Sequence, residues 1–346
     1  MRAALDSRRY ILGEEGSAFE SEFAAYVGGK HCVGVNSGTD ALTIALRAVG
    51  VRPGDEVVVP AVTFYATAEA VLHAGGRPVF ADVEPATWCL SGPTVEPVIT
   101  DRTTAVVPVH LFGNPAPMGD LINLARERGL WVVEDAAQAA GARLDGRRTG
   151  ALADAAAFSF FPSKNLPAVG DAGALLTDDA EVAAVARRLR NHGTADRNLH
   201  TEVGYNSRLD ELQAAGLRAA LPHLDRLTSA RREVAAAYAK SGLGEMVELP
   251  AETPGGQSSF HLYVISTPRR DGLQQALREA GIESRPYYTT PLYRQPALAG
   301  IAAADPLAAA ERFAREGLAI PMGPDLTGED VARVVDAVSE AVRDEQ

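Results

Sequence analysis

The chain has almost no cysteine. Cys32 and Cys89 are the only two and no CxxC spacing occurs, which argues against a disulfide framework and a zinc cage. Seven histidines fall in no HExxH or similar spacing, so no metal chemistry is expected. No run approaches the ~18 apolar residues of a membrane span. Met1–Tyr10 is charged and lacks an apolar stretch, so no secretory leader is expected. Positive charge is in deficit: 33 Lys and Arg stand against 45 Asp and Glu, a formal net charge of −12. That balance argues against nucleic acid or an anionic membrane as the main partner. An anionic ligand would have to be held by local donors. Internal repeats are missing, as is low-complexity sequence beyond a general richness in alanine. The expectation is an acidic, cytoplasmic, globular protein.

What is there is a large core. With 346 residues, 46% hydrophobic, the chain exceeds the ~250–300 residues at which single cores stop growing. Two domains are expected, a large one over 1–245 with an N-terminal arm and a smaller one over 246–346. Ser17–Tyr26 reads as an amphipathic helix stopped by Gly28-Gly29. Short apolar runs then recur at His31–Val35, Glu56–Val59, Pro78–Val83, Ala105–Val109, Leu130–Glu134, Ala155–Phe161 and Gly173–Thr177, several of them separated by helical stretches. Unbroken apolar strands alternating with helices predict an α/β fold with a mostly parallel sheet covered on both faces. Beyond Asp178 the pattern turns helical, through Glu181–His192, Leu209–Leu221 and Leu224–Ala239. Glu252–Gln257 reads as a linker. A smaller α+β unit follows, with strand His261–Ser266, helix Asp271–Ala280 and a terminal helix bearing Val331, Val334, Val335, Val338 and Val342 on one face.

Chemistry gathers at strand ends. Trp131-Val132-Val133 runs into Glu134-Asp135, a carboxylate at the carboxyl end of a buried strand, where open α/β sheets bind ligands. The run Ala155–Phe161 breaks at Pro162 and delivers Lys164. A lysine and a carboxylate from neighbouring strands are the pair a pyridoxal phosphate site needs, one for the Schiff base and one for the pyridine nitrogen. Taken singly, Asp135 fits a helix cap and Lys164 a solvated loop. Asn36-Ser37-Gly38-Thr39 places backbone N–H groups and a hydroxyl at a helix start, an anion site or an ordinary cap. Phe64 and Tyr65 follow a strand at the same edge, where an aromatic either stacks on a planar ring or joins the core. Ser159 precedes Lys164 on its strand, and Gln138 lies one turn past Asp135. Asn206 and Arg208 open a helix, where capping explains them equally well. His261 faces either the substrate or the interior.

These residues lie in runs that resemble a known family. SGTDAL (37–42), PAVTFYATAEAV (60–71), VPVHLFGNPAPM (107–118), VVEDAAQAAGA (132–142), AAFSFFPSKNL (156–166), GDAGALLTDD (170–179), LRNHG (189–193) and GYNSRLDELQAA (204–215) closely resemble the DegT/DnrJ/EryC1/StrS aminotransferases, in order and over nearly the whole chain. The resemblance implies a fold type I pyridoxal 5'-phosphate (PLP) transferase, homodimeric, with sites shared across the interface. It implies amino transfer from glutamate or glutamine to a keto sugar, usually nucleotide-linked, or to a keto cyclitol. Lys164 would be the Schiff-base lysine and Asp135 the partner of the pyridine nitrogen. Phe64 would stack on the ring, Gln138 would lie near its phenolic oxygen, and Gly38, Thr39 and Ser159 would hold the phosphate. Asn206 would reach the phosphate in the neighbouring subunit. Tyr65, Arg208, His261, Tyr287 and Tyr288 are the substrate-side candidates. Lysine at 164 argues against the family's dehydratase branch, which carries histidine there.

Three segments depart from the family pattern. Gln138-Ala139-Ala140-Gly141-Ala142 stands for QAHGA, and Lys164-Asn165-Leu166-Pro167-Ala168 for KNLGA. The segment resembling HYPxPLHxQPA runs from Tyr287 to Ala297, with tyrosine at 287 and 293 in place of histidine. The altered acceptor segment leaves a PLP-dependent lyase or dehydratase as the alternative. LRNHG with SRLDELQAA leans towards members acting on 3-keto sugars.

Overall fold

The computed structural model describes residues 1–196, 198–301 and 307–343. Its strands, in chain order, are β1 His31–Val35, β2 Glu56–Pro60, β3 Arg77–Ala81, β4 Thr103–Val106, β5 Trp131–Asp135, β6 Arg143–Leu144, β7 Arg147–Arg148, β8 Ala155–Ser159, β9 Gly173–Thr177, β10 Gly256–Gln257, β11 Tyr263–Ser266 and β12 Gly317–Ile320. Seven of them form one sheet in the order β1-β9-β8-β5-β4-β2-β3. The pairings β3–β2, β2–β4, β4–β5 and β5–β8 are parallel. Only β9 runs against its neighbours β8 and β1. The expected α/β architecture and mostly parallel sheet are therefore present.

Burial on both faces explains the unbroken apolar strands. Val57, Val58 and Val59 on β2 are all fully buried, odd and even positions alike. Each valine so buried stabilises the fold by roughly 1.5–3 kcal/mol relative to exposure. The helix Glu14–Val27 covers the β8–β9 side: Phe23 meets Phe158 and Phe160 edge-on, with ring centroids 5.0 and 5.1 Å apart. It ends at Gly28, whose φ of 91° is the left-handed conformation glycine adopts without strain.

A second apolar cluster unites β11, β12 and the helices Arg270–Glu279 and Gly328–Arg343, with Val234, Ala235 and Tyr238 from the long helix Leu224–Lys240. β11 and β12 pair antiparallel.

Several elements differ from expectation. The N-terminal segment is more ordered than a free arm: Arg2–Ser7 is helical, and Ile11 bridges to Asp210. The buried carboxylate of Glu211 accepts hydrogen bonds from the N–H groups of Gly13, Glu15 and Gly16, at 2.8, 2.8 and 3.0 Å. Gly256-Gln257 is not a bare linker, since it pairs with β6. The β6–β7 hairpin, with Asp145 and Gly146 both at positive φ, was not anticipated. Neither was the helix Ala308–Glu316 that feeds β12.

Candidate active site

Asp135 ends β5, and its carboxylate is buried. Thr67 Oγ1 donates to Oδ2 at 2.8 Å, and the Ala137 N–H donates to Oδ1 at 3.2 Å. Thr63 and Thr67 share a further hydroxyl contact of 3.0 Å. Asp135 thus caps no helix; it closes a local turn and faces the helix Ala66–Ala74. Burial pushes its pKa up, against the opposing pull of Thr67, Ala137, Lys164 and His110. Lys164 follows β8, on the turn closed by its own N–H to Phe161 O at 2.8 Å. Burial lowers its pKa, with Asp135 opposing. The two groups feel each other, and desolvation is the larger influence on both.

Beside them, the helix Gly38–Ala48 starts against β8. Ser37 Oγ accepts from the Asp40 N–H at 3.1 Å, which leaves the Gly38 and Thr39 N–H groups as donors of the open first turn. A Cβ on Gly38 would lie 2.5 Å from that of Ser159, so only glycine permits this approach. Gly38, Thr39 and Ser159 are therefore neighbours, all half-buried.

An aromatic wall faces this edge. Phe64 is 58% exposed and lies 6.4 Å from Tyr288, centroid to centroid; Tyr288 stacks on Phe112 at 6.1 Å and meets Tyr287 edge-on. Gln138 braces the wall. Its Oε1 accepts from the Phe112 N–H at 2.8 Å and its Nε2 donates to the Tyr288 hydroxyl at 3.0 Å. Burial raises the Tyr288 pKa. Tyr65 is half-buried at the start of the neighbouring helix. Tyr293, the other tyrosine in the altered segment, points its hydroxyl to Glu311 instead.

Asn206 is exposed on a turn that bridges to Asn191. The helix beyond it starts at Glu211, and Asp210 occupies its N-cap, so capping does not account for Asn206. Arg208 donates to Asn191 Oδ1 at 3.1 Å. Ser207 donates to Asn36 Oδ1 at 3.0 Å, tying this turn to the Ser37–Thr39 start. His261 is buried, with Nδ1 3.2 Å from Asn165 Oδ1. Burial, Lys164 and Arg231 press its pKa well below the ordinary histidine value.

Sequence reasoning missed Thr67, Phe112 and Asn165. Thr67 carried a usable signal, since it lies one helical turn beyond Thr63 at a strand's carboxyl edge. No three His, Cys, Asp or Glu side chains cluster as a metal site among the described residues. No helix among them is long and apolar enough to cross a membrane.

A lysine amine and a buried carboxylate at the carboxyl edge of a mostly parallel sheet, beside a glycine-opened helix start, make up the arrangement that a fold type I aminotransferase requires. The chain belongs to the DegT/DnrJ/EryC1/StrS aminotransferase family, whose model matches residues 1–339. It is 48% identical to the dTDP-3-amino-3,4,6-trideoxy-alpha-D-glucose transaminase of Streptomyces venezuelae, over 97% of this chain and 89% of that protein. It is 45% identical to the UDP-N-acetyl-3-dehydro-alpha-D-glucosamine 3-aminotransferase of Acidithiobacillus ferrooxidans, over 96% and 90%. The crystal structure of S. venezuelae DesV in complex with a ketimine intermediate superposes with a TM-score of 0.95 at 47% identity, covering 99% of this chain and 92% of that one.

Proposed function

We propose that this aminotransferase uses PLP to move an amino group from glutamate or glutamine to a nucleotide-linked keto sugar, at C3, in amino-sugar or antibiotic biosynthesis in the cytoplasm. The observation that carries the cofactor reading is the buried Asp135 carboxylate, held by Thr67 and acting on the Lys164 amine. The surrounding donors suit an anionic, planar, nitrogen-bearing cofactor. Gly38, Thr39 and Ser159 offer N–H and hydroxyl groups to a phosphate, and Phe64 presents an exposed ring for stacking. Bound there, PLP supplies the electron sink for the charge left when the donor's α-proton departs.

The chain's own residues do the rest. Asp135 holds a proton on the pyridine nitrogen by offering it a carboxylate in a dry setting. Lys164, its basicity lowered by burial, accepts the α-proton at Nζ and returns it. Gln138, which braces Tyr288, would lie near the phenolic oxygen of the bound cofactor. Tyr65, Arg208, Tyr287 and Tyr288 shape the substrate side. Asn206, exposed on its turn, reaches the phosphate site of a second copy, so the working unit is a homodimer with shared sites. Nucleic acid and membrane are not partners, in keeping with the net charge of −12. The nucleotide-sugar acceptor and the C3 position follow the activities for which the two relatives above are named, one on a dTDP-linked sugar and the other on a UDP-linked one. We also divide the chain near residue 245, just past the long helix Leu224–Lys240, whose end shares the apolar cluster built around β11 and β12.

The absorbance spectrum of the PLP-treated protein tests the reading. A visible band that L-glutamate or L-glutamine discharges is expected. The absence of a band rejects Lys164 as the reacting amine. A band that neither donor discharges rejects the donor assignment.

A further inference from the structure

We propose that His261 is a positioning residue for Lys164, acting through the side chain of Asn165. The inference rests on the reading of Lys164 as the reacting amine. Asn165 directly follows that lysine and is buried. Its Nδ2 donates to the Ser259 carbonyl at 2.9 Å, and a carbonyl can only accept. Oδ1 is therefore the atom turned to His261, and Nδ1 of the ring, 3.2 Å away, carries the proton and donates. Burial and the nearby cations disfavour a second proton on the ring. The cations acting on it are Lys164 and Arg231, the latter donating to Phe260 O at 3.1 Å.

The two Asn165 bonds are the side-chain hydrogen bonds that fasten the lysine's own end of the loop. Phe161, Pro162, Ser163 and Pro167 are exposed, while Leu166 and Ala168 anchor the far end in the core. The other ties are the main-chain bonds Lys164 N–H to Phe161 O and Ala168 N–H to Phe160 O, with the Phe161 N–H donating to Ser159 Oγ at 3.4 Å and the Val169 N–H to Gln213 Oε1 at 2.8 Å. The segment that receives Asn165 is itself anchored, because the Ser259 N–H donates to Gly113 O at 3.0 Å. Gly113 adjoins Phe112, whose N–H is held by Gln138, and Gln138 reaches Tyr288. One hydrogen-bonded frame thus runs from the lysine loop to the aromatic wall, and His261 closes it. A histidine that merely filled space would affect stability and leave the amine alone.

The test is the reactivity of the Lys164 amine in the full-length, cofactor-free protein, read by acetic anhydride labelling and peptide mass spectrometry across pH. Burial is what lowers this amine's basicity, so a loosened loop that lets it out raises the pH midpoint of its labelling, whatever the change in access. His261→Asn keeps an N–H donor near the Nδ1 position, whereas His261→Gln moves the donor towards the Nε2 position. The expected result is the wild-type labelling midpoint for His261→Asn. For His261→Gln the midpoint should move to higher pH. Asn165→Leu, which removes both Asn165 bonds, should shift it like His261→Gln. Equal labelling midpoints in the folded Asn and Gln variants overturn the proposal. If His261→Gln fails to fold, a wild-type midpoint in Asn165→Leu overturns it. Should wild-type Lys164 label like an ordinary surface lysine, the assignment of Lys164 fails first, and the two failures stay distinct.

Discussion

Glu134 and Asp135 are adjacent on β5, and their carboxylates serve opposite ends. Side chains alternate across a strand, so one faces the interior and the other the site. Glu134 is fully buried and accepts from the Gly150, Leu152 and Ala153 N–H groups at 2.6, 2.8 and 2.9 Å. His110 Nε2 lies 2.8 Å away and donates as well, because its Nδ1 accepts from the Ala116 N–H. Every acceptor position of Glu134 is taken. Asp135 has Thr67 and one backbone N–H, and its remaining capacity faces Lys164.

Asp135→Asn separates function from stability. Removing the charge should lower turnover at least about 100-fold, the scale of a lost preorganised electrostatic partner. The cofactor-free protein should not lose stability with it. Burial raises the folded-state pKa of Asp135, so the folded chain holds that proton more tightly than the unfolded one. The favourable contribution is full below the unfolded value and is lost as pH rises through the folded one. The melting temperature of Asp135→Asn relative to wild type should therefore climb as pH is raised from about 4 to neutrality. A flat difference across that range would remove the buried-charge account.

Glu134→Gln should do the reverse. The new amide group must turn its own N–H donors towards at least one existing donor, leaving a buried clash worth about 3 kcal/mol. Thermal unfolding should show that loss, with turnover per folded molecule changed far less than in Asp135→Asn. A variant as stable as wild type would mean that the turn 150–153 is held by something else.

Glu211→Ala tests the N-terminal anchor. Three N–H groups at the start of the helix Glu14–Val27 lose one acceptor together. Water replaces part of it, so a loss of about 2 kcal/mol is expected. Amide exchange at Gly13, Glu15 and Gly16 should quicken with it. Unaltered exchange there would show that the segment is held without Glu211.

The contrast between these sites marks what the sequence could reveal. β2 was legible because a strand buried on both faces must be apolar at every position, and Val57-Val58-Val59 says so locally. Asp135 and Lys164 were legible because each follows such a run. The Glu211 anchor was not, since its partners lie 195 to 198 residues away. Gln138 carried no sign that both ends of its amide are engaged by Phe112 and Tyr288. Tyr287 and Tyr293 looked alike as substituted histidines, yet one borders the aromatic wall and the other reaches Glu311. The hairpin at Asp145-Gly146 did have a local signature, and it was overlooked because its strands have only two residues each.

The shared-site reading makes a quantitative claim about mixed dimers. Lys164→Ala alone should abolish turnover, and Asn206→Ala alone should weaken cofactor affinity through the partner. In a dimer of one Lys164→Ala chain with one Asn206→Ala chain, one site carries both changes and the other carries neither. If the two chains are refolded together at equal concentration, half of the dimers are mixed, and each has one intact site. Activity measured at a PLP level too low for Asn206→Ala should return to about a quarter of wild type, as twofold symmetry requires. Were Asn206 to serve its own subunit, every mixed dimer would hold one site lacking the lysine and one lacking the asparagine. No recovery beyond the parent variants would then appear, and the exposed turn around Asn206 would need another explanation.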